Sequence, residues 1–164
     1  AATARAFVAT VSGRVGGIAA AIPPTLPLTV ATNALAVAAA LARHGRVRLL
    51  VLGGTYDPVK DACLGSDTVD AVRRLHADLF FLGACGIDAR LGATAYDPAE
   101  AEVKRAMAAA SRRLAVAATR DKLGTAAPFA VAPPETLSDL VVAADVPAAS
   151  LAPFEALGVR LHRA

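Results

Sequence analysis

The chain has no tryptophan, only two cysteines, and aromatic residues at only 4% of its 164 positions. Cys63 and Cys85 match no metal-ligand spacing and no disulfide framework, and they suit a reducing cytoplasm. No uninterrupted apolar run reaches the roughly 18 residues that span a bilayer. The first residues also lack a charged region leading into an apolar run with a cleavage site. The expectation is a soluble, cytoplasmic chain with no membrane partner. The net charge of +3 is modest, and basic residues gather only in short clusters, Arg43-His44-Gly45-Arg46-Val47-Arg48 and Arg112-Arg113. These read as solvated element ends, so direct nucleic-acid binding by these residues is not expected.

What is present is aliphatic. Hydrophobic residues make up 55% of the chain, so the core must be built from Ala, Val and Leu. Residues 1–164 are expected to form a single domain. A chain of this size buries roughly two-thirds of its unfolded surface and needs no metal or disulfide staple.

The centre of the pattern is Phe80-Phe81-Leu82-Gly83-Ala84-Cys85-Gly86-Ile87-Asp88. The apolar run Ala77 to Leu82, broken only by Asp78, suits a central strand covered on both faces. It breaks into glycines that allow a sharp turn and close approach to a ligand. Other expected strands are Ala6–Val11, Pro27–Ala31, Arg48–Leu52, Leu114–Ala118, Leu140–Ala144 and Val159–His162. Helices are expected from a cap at Asn33 to Arg43, from a cap at Ser66 or Asp67, and from Pro98 to about Ser111. Thr55–Gly65 and Asp88–Asp97 read as irregular, with no internal repeat. Alternation of strand and helix argues for an α/β fold with a mostly parallel sheet, right-handed crossovers and helices on both faces.

Five predicted strands end in polar or glycine-rich turns: Ser12-Gly13, Thr32-Asn33, Gly53-Gly54, Gly83-Ala84-Cys85-Gly86 and Arg120-Asp121-Lys122. If the strands are parallel, these turns meet along one edge, where open α/β sheets bind ligands. Backbone amides there, with Arg14, Lys104 and Lys122, suit a phosphate, while Asn33 and Asp121 suit sugar hydroxyls. Plainer readings stand beside these: a helix cap for Asn33, a solvated helix face for Lys104, a surface loop for Lys122. The first glycine-rich turn is no Walker motif, since no Lys-Ser/Thr pair follows. No nucleophile–base pair is evident: Cys85 reads as a small apolar residue and Asp88 as a turn former. No catalytic residue, metal site or cofactor is expected.

The order Thr32-Asn33, Leu52-Gly53-Gly54, Gly65, Phe81-Leu82-Gly83-Ala84-Cys85-Gly86-Ile87 resembles the C-terminal sensor domain of DeoR-type transcriptional regulators. Gly92-Ala93-Thr94, Glu100-Ala101-Glu102-Val103-Lys104-Arg105-Ala106-Met107 and Asp121-Lys122-Leu123-Gly124 extend the resemblance, which runs from about Leu26 onward. It implies a Rossmann-like fold related to ribose-5-phosphate isomerase and glucosamine-6-phosphate deaminase, one that senses a phosphorylated sugar without turnover. It also implies a homo-oligomer, and DNA binding only through a winged helix-turn-helix domain absent from this chain. Carried over by motif, the effector contacts are the Ser12-Gly13 turn, Asn33, Gly83 to Gly86, Lys104 and Lys122. The resemblance departs at Gly13-Arg14-Val15, where the family has Gly-Thr-Thr. A sugar-phosphate isomerase or deaminase on the same scaffold, and a pure oligomerisation module, are the alternatives.

Overall fold

A computed structural model describes residues 5–9 and 22–163. Seven strands form one sheet in the order β12-β11-β9-β6-β1-β2-β3, and every neighbouring pair is parallel. In chain order they are β1 (Arg5–Ala9), β2 (Leu28–Thr32), β3 (Val47–Val51), β6 (Leu79–Gly83), β9 (Leu114–Ala117), β11 (Asp139–Val142) and β12 (Arg160–Arg163). The Phe80-Phe81-Leu82 strand, β6, is the middle one of the seven. Strand order runs one way from β1 to β3, then restarts beyond β1 at β6 and runs the other way. The reversal falls between β1 and β6, the switch point of a doubly wound sheet, and such sheets bind ligands beyond the carboxyl ends of the strands at that point.

Four helices connect the described strands: α1 (Leu35–Leu41), α2 (Ser66–Arg73), α3 (Pro98–Ala109) and α4 (Ala148–Ala156). They fall on both faces because a parallel sheet must be covered twice. Phe80, Leu82, Val116 and Leu140 pack with Val69 and Val72 of α2, Met107 of α3, and Leu151 and Phe154 of α4. On the other face, Leu28 and Val30 meet Val37 and Leu41 of α1, with Phe81 packed against them. Each of these large side chains contributes about 1.5–3 kcal/mol on burial, so the aliphatic sequence suffices for a core.

Two segments expected to be irregular are antiparallel hairpins: β4 (Thr55–Asp57) with β5 (Ala62–Leu64), and β7 (Gly86–Asp88) with β8 (Gly92–Ala95). Both turns are built alike. The Asp57 carboxylate accepts from the amides of Val59 and Lys60, and the Asp88 carboxylate accepts from those of Arg90 and Leu91. The left-handed position after each turn is Asp61 (φ 51°) in one and Gly92 (φ 77°) in the other. Each hairpin follows a sheet strand and leads into a helix, so β3–β4–β5–α2 and β6–β7–β8–α3 are one design used twice. A further strand, β10 (Phe129–Ala132), joins the second hairpin by pairing with β8. Among the described residues no helix is long and apolar enough to cross a membrane.

Candidate functional site

The turns after β2, β3, β6 and β9 all leave the same edge of the parallel sheet, and the two hairpins rise from β3 and β6 on either side of β1 and β2. The turn after β1, with Ser12, Gly13 and Arg14, lies outside the described residues. The remaining predicted site residues divide into three groups.

The first group gathers at the end of β6. Lys104 reaches up from α3 with only 1% of its surface exposed. Its Nζ donates to the Gly83 carbonyl at 2.6 Å and to Glu100 Oε1 at 2.5 Å. Lys122, on the helical turn Arg120–Lys122 after β9, donates to the next carbonyl, Ala84 O, at 3.0 Å. Two lysines from distant segments thus hold consecutive carbonyls of the glycine-rich turn. The Cys85 amide is committed to the Thr94 carbonyl, and the Gly86 carbonyl accepts from the Thr94 hydroxyl. Asp121 sits exposed on the same turn as Lys122.

The second group is Thr32-Asn33, at the end of β2. Asn33 does not cap α1: the N-cap residue is Ala34 and makes no side-chain bond. Thr32 Oγ1 accepts from the Ala34 amide instead, at 3.1 Å. The Asn33 amide group turns inward, where its Nδ2 donates to the Cys63 carbonyl of β5 at 2.9 Å. Asn33 is 2% exposed, and its Oδ1 has no partner among the described residues.

The third group is Gly53-Gly54, at the end of β3, where the Leu52 amide just before it donates to the Thr32 carbonyl at 2.8 Å. Gly53 O accepts from the Thr68 hydroxyl of α2 at 2.6 Å. Gly54 adopts φ 143°, and a Cβ there would lie 2.1 Å from the same hydroxyl. These glycines seat α2 against the end of β3.

Asn33 and Lys104 also meet across a small notch, which they line with Lys60, Ala62, Leu64, Glu100 and Val103. Its free volume is about 10 Å³, room for about one water-sized group. Glu100 and Lys60 are not among the residues expected at this edge. The available signal was the helical spacing of Glu100 and Lys104, which brings their side chains together. Two larger hollows, of about 560 and 640 Å³, lie away from this edge. One is a groove between α2 and α3 at Arg73, His76 and Glu102; the other flanks the start of β9 at Arg113 and Leu114.

The family model for the DeoR C terminal sensor domain matches residues 14–144. The chain is also 26% identical, over 130 residues, to a protein of Escherichia coli O157:H7 named as a candidate transcriptional repressor of the aga operon. That match covers 79% of this chain and 48% of the relative, so the chain spans about half the length of the curated protein it resembles.

Proposed function

We propose, from the premise that this chain belongs to the DeoR C-terminal sensor domain family, that it is the effector-sensing part of a transcriptional regulator. The effector is a phosphorylated sugar or related metabolite, held along the carboxyl edge of the parallel sheet without turnover. Its binding controls DNA recognition by a helix-turn-helix domain elsewhere in the full protein, which acts as a homo-oligomer in the cytoplasm.

One observation carries this reading. The strand order reverses beside β1, so the glycine-rich turn after β6 and the turns after β2 and β9 lie at the carboxyl ends of the strands around the switch point. Glycine-rich backbone at such a switch point suits an anionic metabolite. Two lysines pin the carbonyls of the β6 turn. That bracing supports a preformed cradle, because a ligand then loses less free energy in ordering the loop. Family membership supports regulation rather than an isomerase or deaminase activity.

The test is thermal unfolding of the chain with a panel of sugar phosphates at millimolar concentration. A ligand at a hundred times its Kd stabilises the native state by about 2.7 kcal/mol. For a domain of this size that raises Tm by roughly 5–10 °C. A panel that leaves Tm unchanged overturns the reading. Consumption of a sugar phosphate by the chain would replace it with the enzymatic alternative.

A further inference from the structure

We propose that the open edge of β3 is where two copies of this chain join, the strand pairing antiparallel with its counterpart across a two-fold axis at Leu50. The inference rests on the homo-oligomer of the reading above and names its surface; it does not depend on which effector binds.

The seven-stranded sheet ends at β12 on one side and at β3 on the other. An open edge is a template for further pairing, and proteins commonly blunt theirs with charge. The β12 edge follows that rule: Arg160, His162 and Arg163 are exposed along it. The β3 edge does not. Val47-Arg48-Leu49-Leu50-Val51 carries one charge, and none of its residues is buried, although the neighbouring β2 is almost fully enclosed. Val51 leaves 51% of its surface exposed. The helix beside this edge has the same character. From Leu35 to Leu41 α1 has no polar residue, yet only Val37, Ala38 and Leu41 are buried, and Leu35 is 40% exposed. A helix apolar on every side is ordinarily enclosed on every side.

The backbone selects the occupant. The Leu28 amide donates to Arg46 O, and the Leu52 amide donates to Thr32 O. By alternation Arg48 and Leu50 also bond toward β2, while Leu49 and Val51 point their N–H and C=O outward. Among the described residues no strand lies on that side. In an antiparallel pair centred on Leu50, Leu49 exchanges two bonds with the partner's Val51, and Val51 exchanges two with the partner's Leu49. All four outward groups are then met in each copy. Centring on Leu49 fails, because Val51 O would face the partner's Val47 amide, which donates to its own His44 carbonyl. The Leu50 register also separates the charges. Arg48 lies roughly 13 Å along the strand from the partner's Arg48, beyond a Debye length of about 10 Å.

So short a strand pair is marginal by itself, and α1 supplies the remaining area. It packs on Leu28 and Val30 of β2 and against Val47 and Leu49 of β3. A two-fold axis normal to the sheet keeps both α1 helices on one face. With strands about 4.8 Å apart, their axes fall about 10 Å from each other, a distance at which helices pack. A foreign strand could meet the backbone groups, but a copy also brings a second apolar helix to the right spacing. The contact is isologous and closes as a dimer.

The experiment is sedimentation equilibrium at micromolar concentrations on wild type, Val51→Lys and a control, Leu157→Lys. Leu157 is 44% exposed at the end of α4, far from β3 in strand order. Wild type and Leu157→Lys should sediment with at least twice the monomer mass. Val51→Lys should raise the dissociation constant at least about a hundredfold, because each dimer would bury two ammonium groups at the seam. Register is read by cross-linking, in a Cys85→Ser background that removes the partly exposed native thiol. Leu50→Cys sets two thiols in a non-hydrogen-bonded pair with Cα atoms about 4.5 Å apart, within disulfide reach. Mild oxidation should link the copies there and not in Arg48→Cys, which decides the matter if Val51→Lys fails to fold. If Val51→Lys keeps the wild-type mass and Leu50→Cys does not link, the copies meet elsewhere: the edge is overturned and the homo-oligomer stands. Equal linking of both cysteine variants overturns the register. A monomeric wild type overturns the edge and the homo-oligomer together, and leaves effector sensing to its own melting test.

Discussion

Lys104 shows why a residue's type does not settle its role. A lysine in the middle of a helix is ordinarily solvated, yet this one is enclosed, with its charge balanced by Glu100 and its direction set by a backbone carbonyl. Removing one partner of an enclosed ion pair leaves the other charge uncompensated. Lys104→Met is expected to cost about 3 kcal/mol, the lower end for buried pairs, because Glu100 is partly open to water. Adding Glu100→Gln should recover part of that loss, and a double-mutant cycle in urea reads the coupling directly. If Lys104 were solvated, the single variant would fall within about 0.5 kcal/mol of wild type. Glycines at positive φ divide by what surrounds them. At Gly92 (φ 77°) an added Cβ would lie 2.0 Å from the Ala132 carbonyl, which is fixed by the β8–β10 pairing; at Gly124 (φ 70°) it would meet nothing within 4 Å. Gly124→Ala should therefore cost only the backbone strain, about 1–2 kcal/mol, whereas Gly92→Ala must also displace a strand and should exceed that. Parallel chemical melts separate the two.

At the scale of elements, the helices and long strands were legible because each carries a period or an apolar run that only one structure satisfies. The middle strand is the clearest case: Phe80 and Phe81 face opposite layers, as a continuous apolar run requires. The two hairpins were not legible, since strands of three residues are too short to show alternation, and their turns depend on one aspartate bonding two amides ahead. Only comparison of Asp57-Pro58-Val59-Lys60-Asp61-Ala62 with Asp88-Ala89-Arg90-Leu91-Gly92-Ala93 would have exposed them as a repeated turn. Asn33 looks like a cap in sequence, but its partner, the Cys63 carbonyl, lies in one of those hairpins, beyond the reach of local pattern. The helix starts show the same divide. Asp97 accepts from the Glu100 amide at 2.9 Å and Pro98 follows it, a fully local cap for α3. Ser66 and Asp67 looked equally suitable before α2, but that helix begins after Gly65 with no side-chain cap. Asp97→Ala should thus destabilise by about 1 kcal/mol, while Ser66→Ala should change little; comparing their unfolding midpoints checks the assignment.

At the scale of the molecule, the far half of the sheet is joined by charge as well as by backbone. Asp139 at the start of β11 has only 4% of its surface exposed. Its carboxylate receives Arg113 at 2.7 Å from the approach to β9, with His162 at 2.9 Å and Arg160 at 3.3 Å from β12. Burial by itself would raise the Asp139 carboxyl above its ordinary value. The hydrogen bonds with His162 and Arg113, with the charges of Arg113 and Arg160, outweigh it and hold the group below that value. A carboxyl depressed in the folded state binds its proton more weakly there than in the unfolded chain. Its stabilisation is therefore complete above the unfolded pKa of about 3.9 and is lost as pH falls through the lower folded value. Asp139→Asn should lower stability near neutral pH by roughly 1–2 kcal/mol, a figure restrained by partners that are about half exposed. The gap between variant and wild type should be present at about pH 5 and close below about pH 4, when wild type loses the same charge. Melting curves across that range, repeated in high salt to screen the exposed arginines, measure it. A gap that persists unchanged in strong acid would mean that Asp139 acts through packing rather than through its charge.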